Sequence, residues 1–146
     1  SYWAETGECT YTGGAGVVTV DGYYSISGEA NMKSFVMSTG PLSICLDASA
    51  WSSYTGGIVS ACGNDIDHCV QAVGINTSEG YWKIRNSWGT DWGDAGYIYL
   101  KYGSNVCGLT YDPTYTSVQQ VSNYYGPKST KKSAPKKPLA PVASAM

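Results

Sequence analysis

The chain has 146 residues, of which 42% are apolar and 13% aromatic, enough to fill the core of one ordinary globular domain. Five of its nine basic residues (Lys128, Lys131, Lys132, Lys136, Lys137) crowd into the last twenty positions, which leaves residues 1–126 with four basic and eleven acidic groups, a balance of −7. A surface that acidic excludes nucleic acid as a partner of the folded part, and no run approaches the roughly 18 apolar residues that a membrane span requires.

Thirteen Tyr, five Trp and eighteen Gly against a single Phe suit short strands and tight turns, so the expected class is α+β, mainly β, with one or two short helices. The chain opens on Ser1 with neither Met nor a signal-peptide pattern, which points to an internal start. Residues 1–16 read as irregular, and Val17–Val20 followed by Tyr23 and Tyr24 as extended chain. In Ser27–Gly40, Ser27 is placed to cap a helix whose Met32, Phe35 and Val36 share one face, and Gly40-Pro41 ends it.

Leu42–Leu46 and Cys69–Ile75 read as buried strands, with a turn-rich loop between them that holds a short strand at Ile58-Val59. Asn76–Gly80 reads as a turn, after which Tyr81, Lys83 and Arg85 alternate with Trp82, Ile84 and Asn86 in the second arm of a hairpin. Gly96–Tyr102 supplies another strand. Beyond Gly126 the chain turns to Lys, Pro, Ser and Ala, with four prolines and no aromatic residue. Such a segment cannot offset its ordering entropy, so residues 127–146 are expected to be a disordered tail. It reads as a solvated terminus or linker, with a polybasic contact as the sharper alternative.

His68 is the only histidine, at the head of the apolar strand in Asp67-His68-Cys69. A hairpin centred near residue 77 sets it opposite Asn86. An imidazole and an orienting amide form the base half of a thiol protease site, in which the ring takes the thiol proton and later gives it to the leaving amine. Spacing alone favours an ordinary hydrogen-bonding histidine.

The wording of the sequence is more specific than its spacing. Asp67-His68, then Val70-Gln-Ala-Val-Gly74, then Tyr81-Trp-Lys-Ile-Arg-Asn-Ser-Trp-Gly-Thr-Asp-Trp-Gly93 and Gly96-Tyr-Ile closely resemble the papain and cathepsin family. The resemblance runs from about Tyr2 to Tyr115 and includes Gly40-Pro41-Leu-Ser, Tyr54-Thr-Gly-Gly-Ile58 and Cys107-Gly-Leu109.

It implies that residues 1–126 are the C-terminal, β-barrel-like domain of a cysteine peptidase. His68 would be the general base and acid, Asn86 its orienter, and Trp88 the cover of their contact. Trp92 would line the leaving-group side of the cleft, or simply be a packed Trp. The family's Cys-Gly-Ser-Cys-Trp type run is absent. The family's histidine and asparagine follow the nucleophile by about 130 to 150 residues, which puts that cysteine roughly 60 to 80 positions before Ser1, on a helical domain this chain would need as a partner.

The resemblance also pairs Cys62 with Cys107 and leaves Cys9 without its partner. Cys45, Cys69 and Asp112 match positions around the family's main specificity pocket. There Cys45 and Cys69 would be free buried thiols or an extra disulfide, the former being the default. Asp112 would favour a basic substrate side chain, or be only a solvated turn residue before Pro113.

Asn76-Thr77-Ser78 is a glycosylation acceptor on a hairpin tip. One histidine and scattered cysteines imply no metal or organic cofactor, and the family's settings imply a lysosomal or secreted location. The parent would act on peptides or proteins. The rival readings are a catalytically dead homologue that binds or inhibits, and a stand-alone β binding domain.

Overall fold

The computed structural model describes residues 5–9 and 18–120, so the tail expected at 127–146 lies outside the described residues. Among the described residues there are seven strands: β1 (Val18–Ser25), β2 (Leu42–Leu46), β3 (Ile58–Val59), β4 (His68–Asn76), β5 (Tyr81–Arg85), β6 (Tyr97–Lys101) and β7 (Thr114–Gln120). One α-helix, α1 (Glu29–Ser38), and one 3-10 turn, η1 (Val106–Gly108), complete the unit. The class is α+β and mainly β, as the Tyr-, Trp- and Gly-rich composition predicts.

The strands form one sheet in the order β1-β7-β2-β4-β5-β6-β3, with β1 and β3 at its edges. All pairings are antiparallel except β3 with β6. Alternation decides which face is dry. Leu42, Ile44 and Leu46 of β2, Ala72 of β4, Trp82 and Ile84 of β5, and Ile98 and Leu100 of β6 are fully buried on one side. Met32 of α1 with Trp51 and Leu109 closes this core. Each such large side chain contributes about 1.5 to 3 kcal/mol relative to exposure.

The helix presents Met32 to the core, with Phe35 and Val36 packed beside it, on the face that their spacing predicts. Its N-cap is Gly28 at φ 79°, one residue after the expected Ser27, and no side chain caps it. Glu29 in the first turn takes over the anchoring. Its carboxylate accepts the indole N–H of Trp82 at 2.8 Å and the backbone N–H groups of Gly103 at 3.1 Å and Asn105 at 3.2 Å. This clamp ties the helix to β5 and to the turn after β6, and no sequence pattern announces it.

β7 was not among the predicted elements. It pairs with β1 from Ser25↔Thr114 to Val18↔Gln120, with a bulge between Val20 and Gly22. No helix among the described residues is long and apolar enough to cross a membrane.

Candidate active site

Two central strands and one loop deliver the site. His68 opens β4, where it pairs with Leu46 of β2. Asn86 directly follows β5, and its backbone N–H donates to the Gly96 carbonyl at 3.0 Å, which holds it against the start of β6. The hairpin register differs from the predicted one. Asn76 faces Tyr81, and a bulge between Ala72 and Gly74 shifts the ladder so that Gln71 faces Arg85. Asn86 therefore lies past the end of β5 rather than squarely opposite His68.

The two side chains nevertheless meet, with Nε2 of His68 2.8 Å from Oδ1 of Asn86. An amide oxygen only accepts, so Nε2 carries the proton in this contact and Nδ1 is the nitrogen left to exchange one. Oδ1 also accepts the Ser87 backbone N–H at 2.8 Å, which fixes the amide's orientation. The buried Nδ2 of Asn86 has no partner among the described residues.

Aromatic rings enclose the pair. Trp88 stacks on the imidazole with centroids 5.2 Å apart and planes at 28°, and it is itself 43% exposed. Trp92 packs edge-on to Trp88 at 5.1 Å. Beneath them lies Trp51, 1% exposed, edge-on to His68 at 6.2 Å and stacked with Trp92 at 6.1 Å. The Trp92 indole N–H donates to the Trp51 carbonyl at 3.1 Å. A low-dielectric cover of this kind strengthens the histidine–amide hydrogen bond. Trp51 is absent from the predicted site residues. Its only sequence signal is a large aromatic residue inside an otherwise small, polar loop.

Two aspartates brace the loop that carries Trp51. Asp67 accepts the Ala48 N–H at 2.8 Å, one residue before His68. Asp47, 2% exposed, accepts the Ser49 hydroxyl at 2.6 Å, the Ser49 N–H at 2.9 Å and the Asp65 N–H at 3.1 Å. The Ser49 hydroxyl first, then the two backbone donors, hold its carboxyl below the ordinary carboxylate range, against an opposing push from burial.

A depressed folded pKa adds stability that is present above the unfolded value of 3.8 and is lost as pH falls through the folded value. Thermal melts between about pH 2 and pH 6 should show acid destabilisation setting in below about pH 4. Asp47→Asn should flatten that limb. An unchanged acid limb in the variant would remove Asp47 from the account.

Of the residues expected around a specificity pocket, Cys45 and Cys69 face each other across β2 and β4 and are joined as a disulfide, which corrects the default expectation of free thiols. They sit on the pleat opposite the core, where Cys69 is exposed, so the premise of two buried hydrophobic thiols does not hold. Asp112 is exposed in the segment before β7. A cavity of about 290 Å³ nearby is lined by Asn64, Ile66, Asn105, Gly108, Thr110 and Tyr111, and includes none of the three.

Cys62 and Cys107 are bonded, and Cys9 is a free, exposed cysteine. Asn76 closes the hairpin turn: its Oδ1 accepts from Ser78 and Glu79, while its Nδ2 donates to the Glu79 carboxylate at 2.9 Å. Among the described residues, no group of three His, Cys, Asp or Glu side chains is arranged to hold a metal ion.

Comparison with known proteins gives this arrangement its context. The family described as papain family cysteine protease matches residues 1–117. Cysteine proteinase 1 of Dictyostelium discoideum is 37% identical over 75% of this chain and 35% of its own length. Human cathepsin O is 38% identical over 73% of this chain and 36% of its own. The chain thus spans about a third of the length of these relatives.

Among solved structures, the bromelain protease of Ananas comosus, in complex with the E64 inhibitor, superposes with a TM-score of 0.70 at 31% identity. That match covers 80% of this chain and 59% of bromelain. A Carica candamarcensis cysteine protease, also bound to E-64, gives a TM-score of 0.62 at 36% identity, over 67% of this chain and 49% of its own. Sequence and fold agree: the chain belongs to the papain family of cysteine proteases.

Proposed function

We propose that this chain supplies the base half of the active site of a cysteine-type peptidase whose nucleophile lies on a segment outside these 146 residues. The observation that carries the reading is the 2.8 Å contact between His68 and Asn86 under Trp88, in a chain of the papain family. In this reading residues 1–126 are the β-rich C-terminal part of the peptidase domain, and 127–146 are a basic Lys/Pro extension.

The chemistry follows from the tautomer. Nδ1 of His68 accepts the proton of the cysteine thiol, and the resulting thiolate attacks the peptide carbonyl. The imidazolium then gives that proton to the departing amine, leaving an acyl-thioester that water hydrolyses with His68 again as base. Asn86 holds the ring at Nε2 throughout and, being neutral, stabilises the imidazolium without removing its charge. Trp88 and Trp92 exclude water from the contact, with Trp92 on the leaving-group side.

Cys45, Cys69 and Asp112 form the substrate side-chain wall in this reading, and the exposed turn at Asn76 carries the glycan. The substrates are peptides or proteins, the helical half of the same protein completes the cleft, and the setting is lysosomal or secreted.

The test is to read the coding sequence upstream of Ser1 and assay the full product against a fluorogenic peptide. A cysteine about 60 to 80 codons upstream, with cleavage abolished by a thiol-directed epoxide, is the expected result. A serine or glycine at that position with no cleavage would instead establish a non-catalytic relative.

A further inference from the structure

The pleat of β5 and β6 that faces away from the core has an unusual composition. Read across the register, its rows are Tyr81↔Lys101, Lys83↔Tyr99 and Arg85↔Tyr97, each pairing one tyrosine with one cation. Neither strand contains an acidic residue. Residues 18–120 hold only four basic groups against nine acidic ones, a balance of −5, and three of those four are on this one face. The positive charge of an acidic body is therefore concentrated on a single face, across three successive rows of two strands.

The tyrosines organise the face. The Lys83 ammonium lies 4.3 Å above the Tyr97 ring, and Tyr81 packs against Tyr99 at 4.8 Å. The Tyr99 hydroxyl donates to Asp94 at 2.5 Å, which keeps the phenol neutral and its ring fixed. Arg85 and Lys101 at the two ends are exposed.

We propose that this face docks an extended acidic peptide carrying carboxylates at every second residue. Same-face rows recur about every 7 Å along a strand pair, so Lys101 of β6 and then Lys83 and Arg85 of β5 stand in three successive rows about 7 Å apart along the strand direction, Lys101 being one strand to the side. An extended peptide with Asp or Glu at i, i+2 and i+4 presents its carboxylates at that same interval, while its backbone lies along the tyrosine rings. Charge concentrated in this way steers an acidic partner that the rest of the surface repels.

The test uses the full chain and two labelled peptides of equal length and composition, both built only from glutamate and threonine in equal numbers. One alternates the two residue types strictly, and the other is its block isomer, with all the glutamates preceding all the threonines. Binding is followed by fluorescence anisotropy. The alternating peptide should bind at least about 10-fold tighter than the block isomer, and weaken from about 50 mM to about 300 mM salt. Arg85→Gln with Lys101→Gln should cost at least about 10-fold without lowering the melting temperature, whereas the Lys/Arg exchange pair R85K with K101R should retain binding. K128Q with K131Q and K132Q should leave it unchanged. Equal binding of the two isomers, loss of binding with the tail variant but not the face variant, or binding of dextran sulfate without binding of either peptide would each overturn the proposal.

Discussion

His68→Ala in the full-length protein is expected to lower kcat/KM for peptide cleavage by about 10⁴-fold, with little change in melting temperature. The size of the effect follows from what the ring does at two stages. Without it the thiol is largely protonated near neutral pH, and the leaving amine has no acid positioned to receive it. Stability should change little because His68 is half-exposed and its ring is held by surrounding aromatics rather than closing the core.

Asn86→Ala should cost much less. It removes one hydrogen bond to a group that becomes charged, about 1.5 to 3 kcal/mol, or roughly 10- to 100-fold in rate. The graded pair of losses separates a base from its orienter. Alkylation by a thiol-directed epoxide should slow in the same order, since it reports the thiolate directly. Cleavage retained by His68→Ala would show that the 2.8 Å contact with Asn86 is structural and that the base lies elsewhere.

How far the sequence could be read depended on whether a residue's role was local. β2 and β4 were legible as short apolar runs, β5 through its alternation of buried and outward residues, and α1 because Met32, Phe35 and Val36 recur at helical spacing. The contact between His68 and Asn86 was legible, even though the spacing argument put the hairpin centre in the wrong place. The bulge between Ala72 and Gly74 shifts the register, and nothing local announces it.

What was missed is long-range. β7 is held by pairing to β1 across almost the whole unit, and its Thr-Tyr-Thr-Ser-Val run has β-formers but no turn signal that would set a partner. Glu29 anchors the helix to residues 53 to 76 positions away, so its clamp has no sequence period. Trp51 serves the site only because the loop folds back beneath His68 and Trp92, a consequence of the Asp47 and Asp67 hydrogen bonds.

Cys45 and Cys69 illustrate the same limit. Buried cysteine behaves as a small hydrophobe, and that expectation fails once the register sets both on the outward pleat, directly opposite each other. Sequence patterning assigns residues to faces well. It identifies partners across a sheet only when the register is known.

That pairing leads to an expected order of reduction. Cys69 is exposed, whereas Cys107 is 1% exposed, so a thiol reductant reaches the Cys45–Cys69 bond first. Under graded reductant with alkylation and peptide mapping, Cys9 should label without reductant, Cys45 and Cys69 next, and Cys62 and Cys107 only as the fold is lost. Simultaneous labelling of all four bonded cysteines would refute a difference in access.

The energetic expectation is larger for the buried bond. Cys62–Cys107 spans 45 positions and Cys45–Cys69 spans 24. Restriction of the unfolded chain then gives about 4 and about 3.5 kcal/mol respectively. For a unit of this size, whose whole stability is about 5 to 15 kcal/mol, replacing Cys62 and Cys107 by Ala should lower the melting temperature by about 20 °C. The pair replaced at Cys45 and Cys69 should lose nearly as much stability, yet keep its strand register through the β2–β4 ladder that runs from Leu42↔Ala72 to Leu46↔His68. Hydrogen exchange at those strands separates the two cases: protection lost along the ladder would mean that the disulfide, and not the pairing, holds His68 in place.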